Sequence, residues 1–301
     1  YATRDLSLPG SMGASLPKEN LNSDRDTGFE LELSHRNRVG DFSYAVKGNV
    51  SFTRRKTLYY ERAESGNSYL NWRQNNNDRF NSIWWGYGEG GRITSWDQLY
   101  YNPVYIGRGS VMGDYLYEDW NGDGWINDLD VHPIGYTDMV PMVNFGLTIS
   151  ASWKGIDFSA FLQGVGKQVL LRGGYLAAPW TTNYVLQNKN FAGKMWSENN
   201  RDAEYTIASR DQDFNKWNYN NKDVSVQNNR YVRLKSLVVG YSLPQKWISK
   251  AGLSKLRVYF SGDDLWEWTK VKDGYDPEYG ENSNNTFPFS RLLTFGVDVT
   301  F

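Results

Sequence analysis

The chain has 301 residues, no cysteine and a formal net charge of -1, which excludes disulfide frameworks and thiolate metal sites and removes the electrostatic case for a nucleic-acid partner. Phe, Trp and Tyr make up 16% of it, yet its mean hydropathy is that of a polar protein, a mixture that suits alternating strands and polar loops. No run approaches ~18 consecutive apolar residues, so a membrane helix is excluded, while a strand crossing, which needs an apolar residue only at every second position, is not.

The sequence opens at Tyr1 without a start methionine, leader or lipidation motif, so any targeting segment is expected upstream. A short strand is expected over 2–8. Over 28–34, Phe29, Leu31 and Leu33 alternate with Glu30, Glu32 and Ser34, the period of a strand with one apolar face. After a break at 38–41, Phe42, Tyr44, Val46, Val50 and Phe52 resume the pattern and supply a hairpin partner of about 10 residues, long enough to cross a tilted bilayer. Val143, Phe145, Leu147, Ile149, Ala151 and Trp153 form the next comb, and Lys154 and Gly155 turn it into Ile156, Phe158, Ala160 and Leu162. A third pair spans 230–243 and 255–265, with Pro244 stopping the first strand and one or two helical turns expected over 245–251. The last comb, 291–301, ends on Phe301.

Connections alternate between short and very long. Short turns sit near 38–41, 154–155 and 244–254, and long polar, aromatic segments fill roughly 9–25, 58–140, 166–228 and 266–289. Outer-membrane barrels put short turns at the periplasmic side and long loops outside. Counting back from Phe301 reproduces that parity, with about eight strands in all. A closed barrel of that size fills its interior with side chains and has little use for outer loops of about 60 to 80 residues, so a segment of a larger barrel is expected. The fold class is all-β: a transmembrane antiparallel barrel segment with long extracellular loops.

The sharpest local motif lies at 119–130. Asp119, Asn121, Asp123 and Asp130 stand at positions 1, 3, 5 and 12 of a calcium loop, with the Trp125 carbonyl at position 7 and Gly124 at the sharp turn. A structural Ca2+ bracing a loop is one reading; an Asp/Asn/Gly turn that binds nothing is the other. His35 and His132 are too few and too far apart for a zinc or catalytic set, and carboxylate pairs such as Asp263 with Asp264, or Asp26 with Glu30, give no readable separation, so no enzyme is expected. Among the loop aromatics Trp84, Trp85, Tyr87, Trp96, Trp196 and Trp217 are candidates to stack on a ligand or meet a partner, with loop packing or an interfacial girdle as the alternative.

The run Tyr231 to Pro244, the run Leu256 to Leu265, Asp276, Pro277 and Glu278, and the ending Arg291 to Phe301 together resemble the C-terminus of SusC/RagA-family TonB-dependent transporters. Residues 27–33, 119–130 and 153–164 fit the same family in the same order. The resemblance implies a barrel of about 22 strands, a plug and TonB box outside this chain, TonB-driven import, a SusD-like surface lipoprotein as lid, outer-membrane lipid around the wall in a Gram-negative cell, and room for a dimeric assembly. It implies oligosaccharide substrates, with peptides as the alternative, and makes Phe301 the terminal aromatic read by the barrel-assembly machinery. A plug-less adhesion barrel and a secreted β-rich lectin or enzyme are the competing readings, of which the last explains neither the loop parity nor the terminal phenylalanine.

Overall fold

The computed structural model describes residues 8–105, 110–136, 141–173, 176–180, 189–207, 223–272, 274–279, 287 and 289–301. Most of the strand expected over 2–8, and Trp217, lie outside the described residues. The chain forms two compact units: one comprises Tyr1–Thr27, Arg54–Asp138 and Leu171–Gln227, the other Gly28–Thr53, Met139–Leu170 and Asn228–Phe301.

Seven long strands follow one another in a single sheet in chain order: β1 (Ser23–Val39), β2 (Phe42–Tyr59), β3 (Val143–Trp153), β4 (Ile156–Lys167), β5 (Tyr231–Ser242), β6 (Lys255–Thr269) and β7 (Leu292–Thr300). The two-residue strand Arg79–Phe80 adds to β2 and brings the sheet to eight strands. β1 and β2 reach 17 and 18 residues, longer than the alternating combs alone predict. Lys154 and Gly155 both take positive φ, 46° and 89°, the primed turn whose twist matches the flanking strands. Gly40, at φ 60°, opens the β1–β2 turn. Gln245–Ile248 is helical and Ser249–Ala251 continues as a 3-10 turn, as Pro244 and the intervening sequence predict.

Cross-strand register sorts the second unit's side chains into two faces. Phe42, Val46 and Val50 pair with Trp153, Ile149 and Phe145, which pair in turn with Ile156, Ala160 and Gly164. The row continues through Tyr241, Val258 and Val297. Lys47, Thr148, Arg257 and Asp298 belong to the opposite, polar face. The apolar row has no covering layer among the described residues: Leu33 is 66% and Phe295 82% exposed, with Trp153, Ile156, Val258 and Leu293 also exposed. Since burying one such side chain is worth about 1.5–3 kcal/mol, an apolar face of this extent marks a surface that meets something other than water. No described helix is long and apolar enough to cross a membrane.

The first unit is built from the long connections, and these are ordered. Tyr115, Tyr117, Ile126, Ala178, Phe191 and Tyr205 form its buried core. Ile83–Gly86 pairs with His132–Tyr136 and Glu89–Arg92 with Tyr115–Tyr117. Arg172 is buried, donates to the Tyr205 hydroxyl at 2.6 Å and lies 4.9 Å from that ring. The loop tyrosines thus contribute to a core in which the Tyr205 hydroxyl is held by Arg172.

Candidate functional site

The 119–130 loop closes largely on itself. Asp119 accepts the backbone N–H groups of Gly122, Asp123 and Gly124 at 2.8, 3.1 and 2.7 Å. Asp123 accepts from Trp125 N–H and from the Asn121 amide at 2.8 and 2.9 Å, and these bonds hold its carboxyl below the ordinary value, the Asn121 amide being the larger cause. Gly122 and Gly124 supply the positive φ the turn needs, 72° and 85°. Asp130 is fully buried and accepts from Asn127 N–H at 2.7 Å. Asp119, Asn121, Asp123 and Asp130, four of the ligands expected of a calcium loop, thus already accept N–H groups within this turn. No group of three acidic or imidazole side chains arranged around an ion occurs among the described residues. Trp120 stacks on His132, ring centroids 4.1 Å apart, and couples the loop to the first unit's interior.

The six aromatic candidates separate. Trp196 is only 5% exposed, and a Cβ on Gly113 would lie 2.5 Å from its ring; close packing on Gly113 makes it a core residue, which corrects the expectation of a ligand contact. Tyr87 packs 6.0 Å from Tyr117, and burial pushes its hydroxyl above the ordinary value, so it stays a proton donor. Trp84 is half-buried in the strand Ile83–Gly86. Trp96 opens a short helix, Trp96–Tyr101, capped by Ser95 and Gln98, and is 64% exposed beside exposed Tyr100 and Tyr101. Trp85 is half-buried, meets Trp72 edge-on at 4.9 Å, and lines a cleft of about 540 Å³.

That cleft also takes Asp24, Thr57, Tyr59, Arg79 and Asn81. Thr57 Oγ1 lies 2.8 Å from Asp24 Oδ1 and 2.6 Å from Asn81 Oδ1. Arg79 gives N–H groups to the carbonyls of Trp72 and Arg73 at 2.6 and 3.1 Å, with its guanidinium 5.3 Å from the Trp85 ring. Asp78 and Ser82, on either side of this stretch, hold positive φ of 56° and 63°, conformations costly for residues other than glycine. The Lys56 ammonium, 2.6 Å away, secures Asp78 and lowers its carboxyl pKa. Sequence patterning singled out only Trp85 here, because Asp24, Thr57, Arg79 and Asn81 come together through the β1–β2 hairpin and a strained turn.

In the second unit the sequence Asp276, Pro277, Glu278 closes an ion-pair cluster. Arg233, 4% exposed, pairs with Glu267 and, at 2.9 Å, with Asp276. Lys235 reaches Asp264 and Glu278 at 2.9 and 3.1 Å. The segment after β6 is thereby fastened to β5.

No family model matches the chain. It is 27% identical over 337 residues to TonB-dependent receptor P3 of Formosa agariphila, covering 98% of this chain and 30% of that protein. TonB-dependent receptor P26 of the same organism is 26% identical over 207 residues, covering 64% of this chain and 20% of that protein. Among solved structures, the RagAB peptide transporter aligns with a TM-score of 0.65 at 18% identity over 99% of this chain and 32% of that one. The RagAB importer in its open-open state aligns equally well, at 17% identity over 99% of this chain and 31% of that one. The chain thus spans about a third of the structures and less than a third of the curated relatives it matches. Its resemblance to TonB-dependent receptors and its β-barrel fold are borne out along nearly its whole length.

Proposed function

We propose that this chain is a wall-and-loop portion of a TonB-dependent outer-membrane transporter of the SusC/RagA type that imports oligosaccharides. The observation that carries the reading is the uncovered apolar face, continuous in register from β2 to β7 with a polar face behind it. That is the lipid-out, polar-in alternation of a barrel wall. Similarity to proteins named as TonB-dependent receptors supplies the class, and those relatives are receptors rather than enzymes. Localisation in the outer membrane of a Gram-negative cell follows from the class and the strand pattern together.

Transport by this mechanism is binding and gating, with no covalent step. Loop aromatics and amides hold the cargo, a SusD-like lipoprotein closes over the loops, and TonB pulls on a plug. The exposed trio Trp96, Tyr100 and Tyr101 supports a partner-facing loop surface. In the loop at 119–130 a calcium ion is held by Asp119, Asn121, Asp123, the Trp125 carbonyl and Asp130; what supports it is the buried Asp130 carboxylate, which pairs with no cation among the described residues. Calcium is expected to slow proteolysis of this loop, and equal cleavage with chelator contradicts it.

Peptide import is the second reading, favoured by the neighbour named as a peptide transporter. Calorimetric titration of the full-length detergent-purified protein against oligosaccharide and peptide panels tests both. Saturable oligosaccharide binding supports the first, and binding of peptides alone replaces it with the second.

A further inference from the structure

The cleft beside Trp85 is, we infer, a glycan subsite: Trp85 and Tyr59 offer faces to sugar rings while Asp24 and Asn81 hold hydroxyl groups. This rests on the oligosaccharide-import reading and gives it a location. A volume of about 540 Å³ lies in the range of small-ligand sites.

The charges around the cleft are committed within the protein. Arg55 forms two bonds of 2.8 Å to Asp26, Lys56 holds Asp78, Arg54 lies over the Phe80 ring, and Arg79 gives its N–H groups to two carbonyls. What stays open is a set of hydroxyl, amide and carboxylate groups beside aromatic rings. Sugar hydroxyls both donate and accept, and the C–H face of a pyranose ring packs on an aromatic ring; a neutral oligosaccharide uses all of this functionality. A charged peptide would find few free counter-charges here.

Thr57 fixes the orientation. Its hydroxyl has one proton and two oxygen neighbours, Asp24 Oδ1 and Asn81 Oδ1. The carboxylate can only accept, so it takes the proton, and the Asn81 amide turns its NH2 group to the Thr57 oxygen. Asn81 is left with a carbonyl oxygen and a second N–H for ligand, and Asp24 with a second oxygen. The wall is prearranged: the backbone N–H of Asn81 donates to the Arg55 carbonyl at 3.1 Å, Phe80 pairs with Lys56, and the positive φ at Asp78 and Ser82 sets the turn. Such prearrangement lowers the ordering cost of binding.

The experiment is calorimetric titration of the full-length protein with short neutral oligosaccharides, and in parallel with peptides, comparing wild type with Trp85→Ala, Asp24→Asn and Asn81→Ala. The expected result is oligosaccharide binding by wild type and about a tenfold loss for Trp85→Ala, with smaller losses for the two polar variants, whose side chains are exposed or half-buried and whose unchanged heat-modifiable mobility is checked alongside. Wild-type oligosaccharide binding unchanged in Asp24→Asn and Asn81→Ala overturns the subsite and leaves oligosaccharide import standing. Binding of peptides alone, or of neither panel, overturns both.

Discussion

Phe145 lies over Gly164, its register partner across β3 and β4, so closely that a Cβ on Gly164 would stand 2.3 Å from Phe145 Cζ and 2.7 Å from the Tyr231 carbonyl oxygen. The same arrangement recurs at Tyr259 and Gly296, where a Cβ would meet the Tyr259 ring at 2.3 Å. An aromatic ring covering a strand glycine fills the gap a missing side chain leaves and pins the register. Gly164→Ala is therefore expected to destabilise the wall by about 1–3 kcal/mol, read as a lower yield of heat-modifiable barrel. Adding Phe145→Leu should recover only the part due to the ring, since the Tyr231 carbonyl contact remains, and wild-type yield for Gly164→Ala alone would contradict this close packing.

Arg233 sits almost buried among Glu267, Asp276 and Glu278. Removing one partner from a buried ion cluster leaves uncompensated charge, at a cost of about 3–5 kcal/mol. Arg233→Ala should lower the midpoint of denaturant unfolding in detergent and free the segment around 276–278 for proteolysis. Lys235→Ala, which removes a more exposed cation and leaves Glu278 paired with Arg233, should do less.

The pH response of the 119–130 loop follows from Asp123. Its carboxyl is held below 3.8 by the Asn121 and Trp125 hydrogen bonds, so their bracing is fully present above that value and is lost as pH falls through the lowered folded-state pKa. Hydrogen exchange of the loop amides, corrected for intrinsic rates, is expected to be flat down to the ordinary carboxyl range and to rise below it. Asp123→Asn should remove the transition.

Phe301 is 90% exposed, while Ser254 Oγ donates to its carbonyl at 3.2 Å. We propose that this exposed ring, with no ring contact among the described residues, is read by an assembly receptor. Deleting Phe301 from the full-length protein should cut the amount of folded barrel in the outer membrane, and unchanged heat-modifiable yield would contradict that role.

The wall was legible because a half-buried strand writes its two faces directly into sequence with period two, and Phe145, Leu147, Ile149 and their partners do so without interruption. The turns were legible where glycine or proline fixes the backbone, as at Gly40, Gly155 and Pro244. The loop interior was not, because Tyr115, Phe191 and Tyr205 come from distant segments that follow no period. Trp196 and Trp96 read alike as loop tryptophans; only tertiary packing makes one a core residue and leaves the other exposed. The cleft was invisible for a related reason: Asp24 and Asn81 meet at Thr57 across the β1–β2 hairpin and a turn held by non-glycine residues at positive φ.

The most direct test of the wall is lipid contact by face. The chain has no cysteine, so single cysteines can be placed at Ile149, Val258 and Val297 on the apolar face and at Thr148, Ser261 and Asp298 on the polar one, in a cysteine-free full-length protein. Each is labelled with a fluorophore in reconstituted vesicles, and quenching by lipid-borne nitroxides is measured. Strong quenching at the first three positions and weak quenching at the second three is the predicted result. Equal quenching on both faces, or none on the apolar face, would contradict a membrane-spanning wall.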